Sequence, residues 1–417
     1  MKIAFVGAGS YVFGPSILVQ LFRSGLEAVE LRLIDPNGEA IGPLASAASA
    51  KAKRDRRDFT FPCFDSIEGA LDGVDAVIHS AAPGMRQDFQ RSKQVLSDRY
   101  PSHLLTEFGG VNGIAYSVRQ AKFTAALSAE ILRSSPDANL LISANPLPRT
   151  CTAATRLGVD TIGFCSVAIQ ALRPIGRLLF GLEEDYPFPV AASKVRFAVA
   201  GTNHLSWVVE LVDRSSGEDL LPALRSASLN LRSKSQRYLA STGFLPAAGD
   251  GHISDFLPVE GDEPLLESSS HGSGADRARR IEVVRDVAAG KLELEVLDEH
   301  PSWEAPIAFL WALNGGPPQE IVSLNLANRG QIPEVPMGVV VETTCSVSSE
   351  GVVPRVLNLP AAVSKHNLLA AEITEAIVDS VLSGDEDALR HAVDLDPTIE
   401  DKDLGWSCLR EILQPAD

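Results

Sequence analysis

The first thirty-five residues constrain the fold more than any other stretch of the chain. Ile3–Val6 is a short apolar run, and Gly7-Ala8-Gly9-Ser10 follows it directly. Ser16–Phe22 then carries apolar residues at helical spacing, and Leu31-Arg32-Leu33-Ile34 ends on Asp35. Strand, glycine turn, helix and acid-tipped strand in this order form the opening βαβ unit of a parallel sheet. A side chain at Gly7 or Gly9 would block the tight turn, or the approach of backbone N–H groups to a pyrophosphate. An acid at the tip of the second strand accepts hydrogen bonds from adenosine ribose hydroxyls, and its charge repels a 2′-phosphate. NAD is therefore the expected dinucleotide, preferred over NADP, with Gly7, Gly9, Ser10 and Asp35 at its site. The third glycine of the usual fingerprint is absent: Val12 stands there, and Gly14 comes two residues late. An ordinary βαβ turn with a solvated Asp35 is the competing reading.

The same alternation continues through the first third of the chain. Strands are expected at Asp75–His79, Asn139–Ser143 and Thr161–Phe164, with a helix over Ala121–Leu132 between them. Lys194–Ala200 alternates polar and apolar residues, the pattern of a half-exposed antiparallel strand. The expected fold is α/β: an N-terminal Rossmann domain over residues 1–165 and an α+β domain over 166–417. In the second part Asp276–Ala288 and Leu368–Leu382 read as helices, Val339–Thr343 as a strand, and Ser268–Gly274 as a loop or mobile lid. A chain of 417 residues exceeds what one hydrophobic core usually supports, in line with two domains.

Composition narrows the partners. With 37 basic against 54 acidic residues the net charge is −17, which argues against nucleic acid or an anionic membrane. No run of eighteen apolar residues occurs, and Met1–Gly7 has no signal-peptide pattern. The cysteines are odd in number and widely spaced (Cys63, Cys151, Cys165, Cys345, Cys408), as reduced thiols would be. A cytoplasmic protein is expected.

Beyond the fingerprint, a series of phrases resembles glycoside hydrolase family 4, the NAD- and metal-dependent glycosidases, whose fold is like that of lactate and malate dehydrogenases. They are Gly7-Ala8-Gly9-Ser10; Gly110-Val111-Asn112-Gly113-Ile114 leading to Arg119; Ser143-Ala144-Asn145-Pro146; and Gly163-Phe164-Cys165. Gly201-Thr202-Asn203-His204-Leu205-Ser206-Trp207 and Gly243-Phe244-Leu245-Pro246-Ala247-Ala248-Gly249-Asp250-Gly251-His252 follow, the last running on to Asp255-Phe256-Leu257-Pro258. Asn325–Val341 and Leu368–Leu382 complete a series that spans nearly the whole chain. The Pro-Ala-Ala-Gly-Asp-x-His phrase looks most like the α-galacturonidase branch, although that branch carries a basic residue where Gly251 stands. The start is less like the 6-phospho-glycosidases, which favours a non-phosphorylated α-glycoside such as an α-galacturonide or α-galactoside.

The resemblance implies hydride removal from sugar carbon 3 by NAD, loss of the carbon 2 proton, departure of the leaving group, water addition and hydride return. It implies Cys165 and His204 as ligands of a divalent metal, commonly Mn²⁺. A buried structural thiol and a satisfied core histidine are the bland alternatives. The base is expected at Asp250 or His252, in a segment where other branches have a tyrosine; the nearest here is Tyr238. Asn112, Asn145 and Asn203 are expected to bond cofactor ribose or sugar hydroxyls, and Arg86 to hold a substrate carboxylate. One departure stands out. Members usually follow the metal cysteine with His, Asn or Asp, whereas Ser166 follows here; a one-residue deletion at that point is an alternative alignment. A homodimer or homotetramer is implied. A plain 2-hydroxy acid dehydrogenase and a non-catalytic NAD- or sugar-binding relative stay open as alternatives.

Overall fold

The computed structural model describes residues 1–103, 105–183, 186–227, 233–257, 274–298 and 304–414. The loop expected over Ser268–Gly274 lies outside these residues except for Gly274, as does Pro258. The strands are β1 (Lys2–Val6), β2 (Ala28–Ile34), β3 (Asp58–Thr60), β4 (Cys63–Phe64), β5 (Ala76–His79), β6 (Asn139–Ile142) and β7 (Thr161–Phe164). They continue as β8 (Val195–Thr202), β9 (Leu205–Asp213), β10 (Gln319–Ala327), β11 (Val340–Ser348) and β12 (Gly351–Pro354).

All twelve belong to one sheet, ordered β3-β2-β1-β5-β6-β7-β10-β11-β8-β9, with β4 on β2 and β12 on β11. Pairing is parallel from β3 to β7. With β4 set aside, that arc has the Rossmann order 3-2-1-4-5-6. From β7 onward every pair is antiparallel. The change of direction falls just after Phe164, and both halves share the sheet.

The expected half-exposure of the strand near Lys194–Ala200 needs correcting. Within β8 only Arg196 is exposed. Phe197 and Val199 face one apolar cluster, with Ile175 and Leu224, while Ala198 and Ala200 face another, with Trp207 and Ile332. Both faces are covered, so the polar–apolar alternation marked only its first residues.

Helices expected from periodicity start earlier than their pattern. The helix expected over Ala121–Leu132 runs Gly110–Ser134, and every residue from Gly110 to Val118 is buried. A helix buried all round has no amphipathic period to read. Val111, Ile114 and Val118 pack with Ile373 and Ile377 of the Ala361–Ser383 helix and with Leu409 and Ile412 of the last one. Among the described residues, no helix is long and apolar enough to cross a membrane.

Trp207 on β9 is fully buried, and its indole N–H donates to Asn367 Oδ1 at 2.8 Å, tying the β8–β9 hairpin to the Ala361–Ser383 helix. Trp207→Ala is expected to cost about 3–5 kcal/mol through the cavity it leaves. Trp207→Phe is expected to cost less, chiefly by stranding the Asn367 carbonyl. Denaturant unfolding of both variants checks the ranking.

Candidate active site

The glycine turn is shaped as a dinucleotide cradle. Gly7 adopts φ +90°, and a Cβ there would lie 2.6 Å from the backbone nitrogen of Ala81. A Cβ on Gly9 would lie 2.7 Å from the Asp35 carboxylate. That carboxylate accepts the Gly9 N–H at 3.0 Å and the Asn37 N–H at 2.9 Å, locking the turn to the tip of β2. Ser10 Oγ accepts the Phe13 N–H at 3.1 Å and so ties down the first turn of the Phe13–Arg23 helix. Because that helix starts at Phe13, it is Gly14 whose missing side chain admits the Ala8 carbonyl. The late glycine thus supplies the close helix–turn packing. Gly9, Ser10 and Tyr11 line a small cavity closed on its other side by Ile281, Val284 and Arg285.

A second group of residues gathers beyond β7. A transverse row crosses the antiparallel half of the sheet: Gly163 pairs with Asn325, Asn325 with Glu342, Glu342 with Gly201 and Gly201 with Ser206. Glu342 is fully buried; Asn203 Nδ2 donates to its Oε1 at 3.1 Å, and the Ser323 hydroxyl donates to it as well. Burial outweighs these hydrogen bonds and holds its carboxyl above the ordinary range. Cys165 follows β7 directly and lies close enough to Asn203 for that side chain to act on its thiol. Burial, then the charges of Glu342 and Glu304, push its thiol well up.

Asn203 and His204 make the two-residue turn between β8 and β9, with Thr202 paired to Leu205. His204 has φ +64°, a left-handed conformation that a non-glycine residue keeps only when its surroundings hold it there. Its ring lies 4.2 Å from that of Phe108 and 4.5 Å from that of His252. Both ring nitrogens are buried without a hydrogen-bond partner among the described residues, as are Asn203 Oδ1 and His252 Nδ1. Burial, and then the neighbouring His252, keep the His204 imidazole neutral well below its ordinary range.

Phe108 is held from several sides. Its N–H donates to Asp255 Oδ2 at 3.3 Å, Arg149 donates to its carbonyl at 2.5 Å, and Asn112 Nδ2 donates to the Thr106 carbonyl at 2.5 Å. Beside it, Glu107 is buried; its Oε1 accepts Asn145 Nδ2 at 3.2 Å, and its Oε2 has no partner among the described residues. Desolvation raises the Glu107 carboxyl to about 7. Asp255 is raised well above its usual range by burial and then by the charge of Glu107.

The expected site residues therefore separate. Cys165, Asn203, His204 and His252 form one connected group, with Asn145 joined to Glu107 beside it. Asn112, in the first turn of the Gly110–Ser134 helix, ties down the segment before that helix through its amide. Arg86 is exposed in the first turn of the Met85–Arg99 helix. Asp250 does not face His204 as a free carboxylate: it accepts the N–H groups of Lys234 and Ser235, at 2.8 and 2.9 Å, at the start of the Lys234–Thr242 helix. Tyr238 lies against Trp207 with the rings tilted by 55° and their centroids 6.0 Å apart.

Sequence reasoning missed Glu107, Glu342 and Glu304. Glu107 lies three residues before the phrase that begins at Gly110. Glu342 had a readable signal, a lone acid directly after the apolar run Val339-Val340-Val341 and within the expected strand. Among the described residues, no cluster of three or more His, Cys, Asp or Glu side chains is arranged to hold a metal ion. Among these residues the orphaned nitrogens of His204 and oxygen of Asn203, near Cys165, fit a cation whose remaining ligands come from elsewhere.

The carboxyl of Glu107 is raised in the folded state, so the fold binds its proton more tightly than the unfolded chain does. Its contribution favours folding at acid pH and is lost as pH rises through about 4.5 to 7. Glu107→Gln is expected to remove that dependence, gaining up to about 3 kcal/mol over wild type between pH 5 and pH 8 in denaturant unfolding. Equal gains at both pH values would show that Glu107 keeps an ordinary carboxyl.

Comparison with known proteins matches the sequence pattern described as "Family 4 glycosyl hydrolase" over residues 2–179 and "Family 4 glycosyl hydrolase C-terminal domain" over 199–399. An α-galacturonidase of Thermoanaerobacter italicus is 23% identical, over 96% of this chain and 92% of its own. A Bacillus subtilis structure named for a glucosidase, lplD, superposes with a TM-score of 0.82 at 21% identity, covering 99% of each chain. A 6-phospho-β-glucosidase from Thermotoga maritima, solved with manganese, NAD⁺ and glucose-6-phosphate, superposes with a TM-score of 0.76 at 18% identity, over 99% of this chain and 98% of its own.

Proposed function

The chain belongs to glycosyl hydrolase family 4, and on that premise we propose that it cleaves a non-phosphorylated α-glycoside, an α-galacturonide or α-galactoside, with NAD and Mn²⁺ as cofactors. One observation carries the reading. A buried, neutral His204, held at positive φ with both ring nitrogens unsatisfied, stands between Asn203 with its orphaned oxygen and His252 with its orphaned nitrogen. Buried polar groups without partners are rare in a fold and mark a place completed by a ligand. The α-galacturonidase relative supports the choice of sugar, and the ligands of the Thermotoga enzyme support the cofactors.

When bound, NAD takes up and returns the hydride of sugar carbon 3, and the divalent ion polarises the sugar oxygens so that the carbon 2 proton becomes acidic. Cys165 and His204 would hold that ion, coordination keeping the thiol deprotonated in spite of its burial. Asp35 and the Gly7–Ser10 turn hold the adenosine half of the dinucleotide. His252, kept neutral at pH 7 by burial, takes the carbon 2 proton. Asp250 serves as its support, fixing the first turn that carries His252. Glu107, protonated over part of the neutral range and oriented by Asn145, offers a hydrogen bond to a sugar hydroxyl. Arg86 lies free to approach a uronate carboxylate from the exposed end of its helix.

Purified protein supplied with NAD, Mn²⁺ and reductant is expected to hydrolyse an aryl α-galactoside or α-galacturonide, with deuterium from heavy water entering carbon 2. Cys165→Ala and His204→Ala are expected to lower kcat/KM at least about 100-fold while NAD binding persists, and Asp35→Ala to weaken NAD binding instead. Turnover with the carbon 2 hydrogen fully retained, or net NADH formation from a hydroxy acid, would overturn the reading.

A further inference from the structure

The glycine turn that receives a dinucleotide is not enclosed by its own βαβ unit alone. The cavity lined by Gly9, Ser10 and Tyr11 has its opposite wall in Ile281, Val284 and Arg285, on the Gly274–Ala288 helix from the far half of the chain. Spaced three and four residues apart, these side chains share one face of that helix. The helix is built into the core of the N-terminal half. Val284 and Val287 are buried, and with Leu294 they belong to the same apolar cluster as Ile17, Ile41 and Leu44. Beyond the helix, Lys51 Nζ pairs with Glu295 at 2.7 Å, and Arg54 makes a two-point contact with Glu293 at 2.6 and 3.2 Å. At the cavity itself the Arg280 guanidinium lies 5.8 Å from the centroid of the Tyr11 ring. Apolar burial supplies most of this docking, because exposed ion pairs contribute little. The wall is thus fixed by the fold.

Two side chains of that wall are left over by the packing. Ile281 keeps 38% of its surface exposed at the cavity edge. Arg285 is exposed and makes no hydrogen bond or ion pair with another described residue. Meanwhile the opening βαβ unit lacks a cation where a dinucleotide needs one: no Lys or Arg stands between Gly7 and Gln20, or between Asp35 and Ala50. Backbone N–H groups are all that the turn offers to a phosphate, since Ser10 Oγ already accepts the Phe13 N–H. A guanidinium meets phosphate oxygens in two-point geometry, which suits Arg285 to the missing role. Asp35 narrows the choice of phosphate. Its carboxylate borders the same turn, 2.7 Å from where a Gly9 Cβ would stand, so a phosphate on ribose 2′ would meet its charge. The pyrophosphate is the anion that remains.

We propose that the Gly274–Ala288 helix is part of the dinucleotide site, with Arg285 pairing with the cofactor pyrophosphate while Ile281 and Val284 cover the adenosine half. The assignment rests on the NAD part of the reading above and is independent of which sugar is cleaved. It makes the cofactor site a joint product of two distant segments, one supplying the turn and the acid, the other the cation and the apolar cover. A dinucleotide gripped from both sides stays bound between turnovers, which suits a reaction that returns the hydride within each cycle.

The test compares pieces of the cofactor. Affinities of the full-length protein for adenosine, adenosine 2′-phosphate, ADP and NAD are measured by titration calorimetry at low and high salt. Arg285→Ala is expected to weaken ADP and NAD about tenfold and adenosine by under about twofold, the difference shrinking as salt rises. Arg285→Lys is expected to recover part of the loss, because it keeps the charge without the planar fork. Ile281→Ala is expected to weaken adenosine, ADP and NAD alike, by about threefold. Neither side chain is buried, so the melting temperature without ligand is expected to stay within about 2 °C of wild type. Equal losses on adenosine and ADP at an unchanged melting temperature, or no loss on either, overturn the pairing. A loss confined to adenosine 2′-phosphate would move Arg285 to the ribose and overturn the pyrophosphate assignment. Should Arg285→Ala melt early, Arg285→Gln decides by the same comparison of adenosine with ADP. Wild-type protein that binds no NAD overturns the cofactor reading and this one together, whereas NAD binding that Arg285→Ala leaves intact overturns this one alone.

Discussion

A carboxylate inside a sheet stays there only if hydrogen bonds replace the water it has lost, and Glu342 meets that condition by drawing neighbouring strands to itself. Asn203 from the β8–β9 turn and Ser323 from β10 both donate to it. The backbone register does the rest, since Glu342 sits opposite Asn325 on one side and Gly201 on the other. Cys165, which follows β7, and His204, which follows Asn203, are carried to their places by this cross-sheet row. Neither residue's position follows from its own segment. A shift of one residue in β11 would turn Glu342 to the opposite face and release both.

The second constraint is the Phe108 ring against His204. Asp255 and Arg149 fix the backbone of Phe108, and the aromatic contact then fixes the imidazole above it. Burial enforced in this way keeps His204 neutral and leaves its nitrogens unmatched. The local cost, a left-handed histidine with unsatisfied nitrogens and three buried carboxyls with raised pKa (Glu107, Asp255 and Glu342), is concentrated at one place. Such concentration is what a ligand site requires, because the strain is relieved by what binds there.

Part of the site was legible because its chemistry is local. Gly7, Gly9, Ser10 and Asp35 contact one another within a single βαβ unit, so their spacing along the chain already describes their geometry. Asp250 and His252 show the limit of spacing. Two residues apart, they read as equivalent candidates for a base, and the fold spends one on capping the Lys234–Thr242 helix while pressing the other against His204. Side-chain direction within one turn separated them, and no pattern of residue types encodes it. The strand at Val195–Thr202 failed in a similar way, because coverage of its second face depends on what packs there.

The sequence by itself determined the parallel arc, the NAD-type turn and the ordered phrases that mark a family 4 glycosyl hydrolase, since each depends on residues near one another in the chain or on similarity along it. Tertiary structure alone decided which acids stand beside which ligands: Glu107 beside Asn145, Glu342 beside Asn203, and Glu304 beside Ser166. The physical reason is that a carboxyl acts through distance and desolvation. Both quantities are set by segments between 38 and 139 residues apart that the fold brings together.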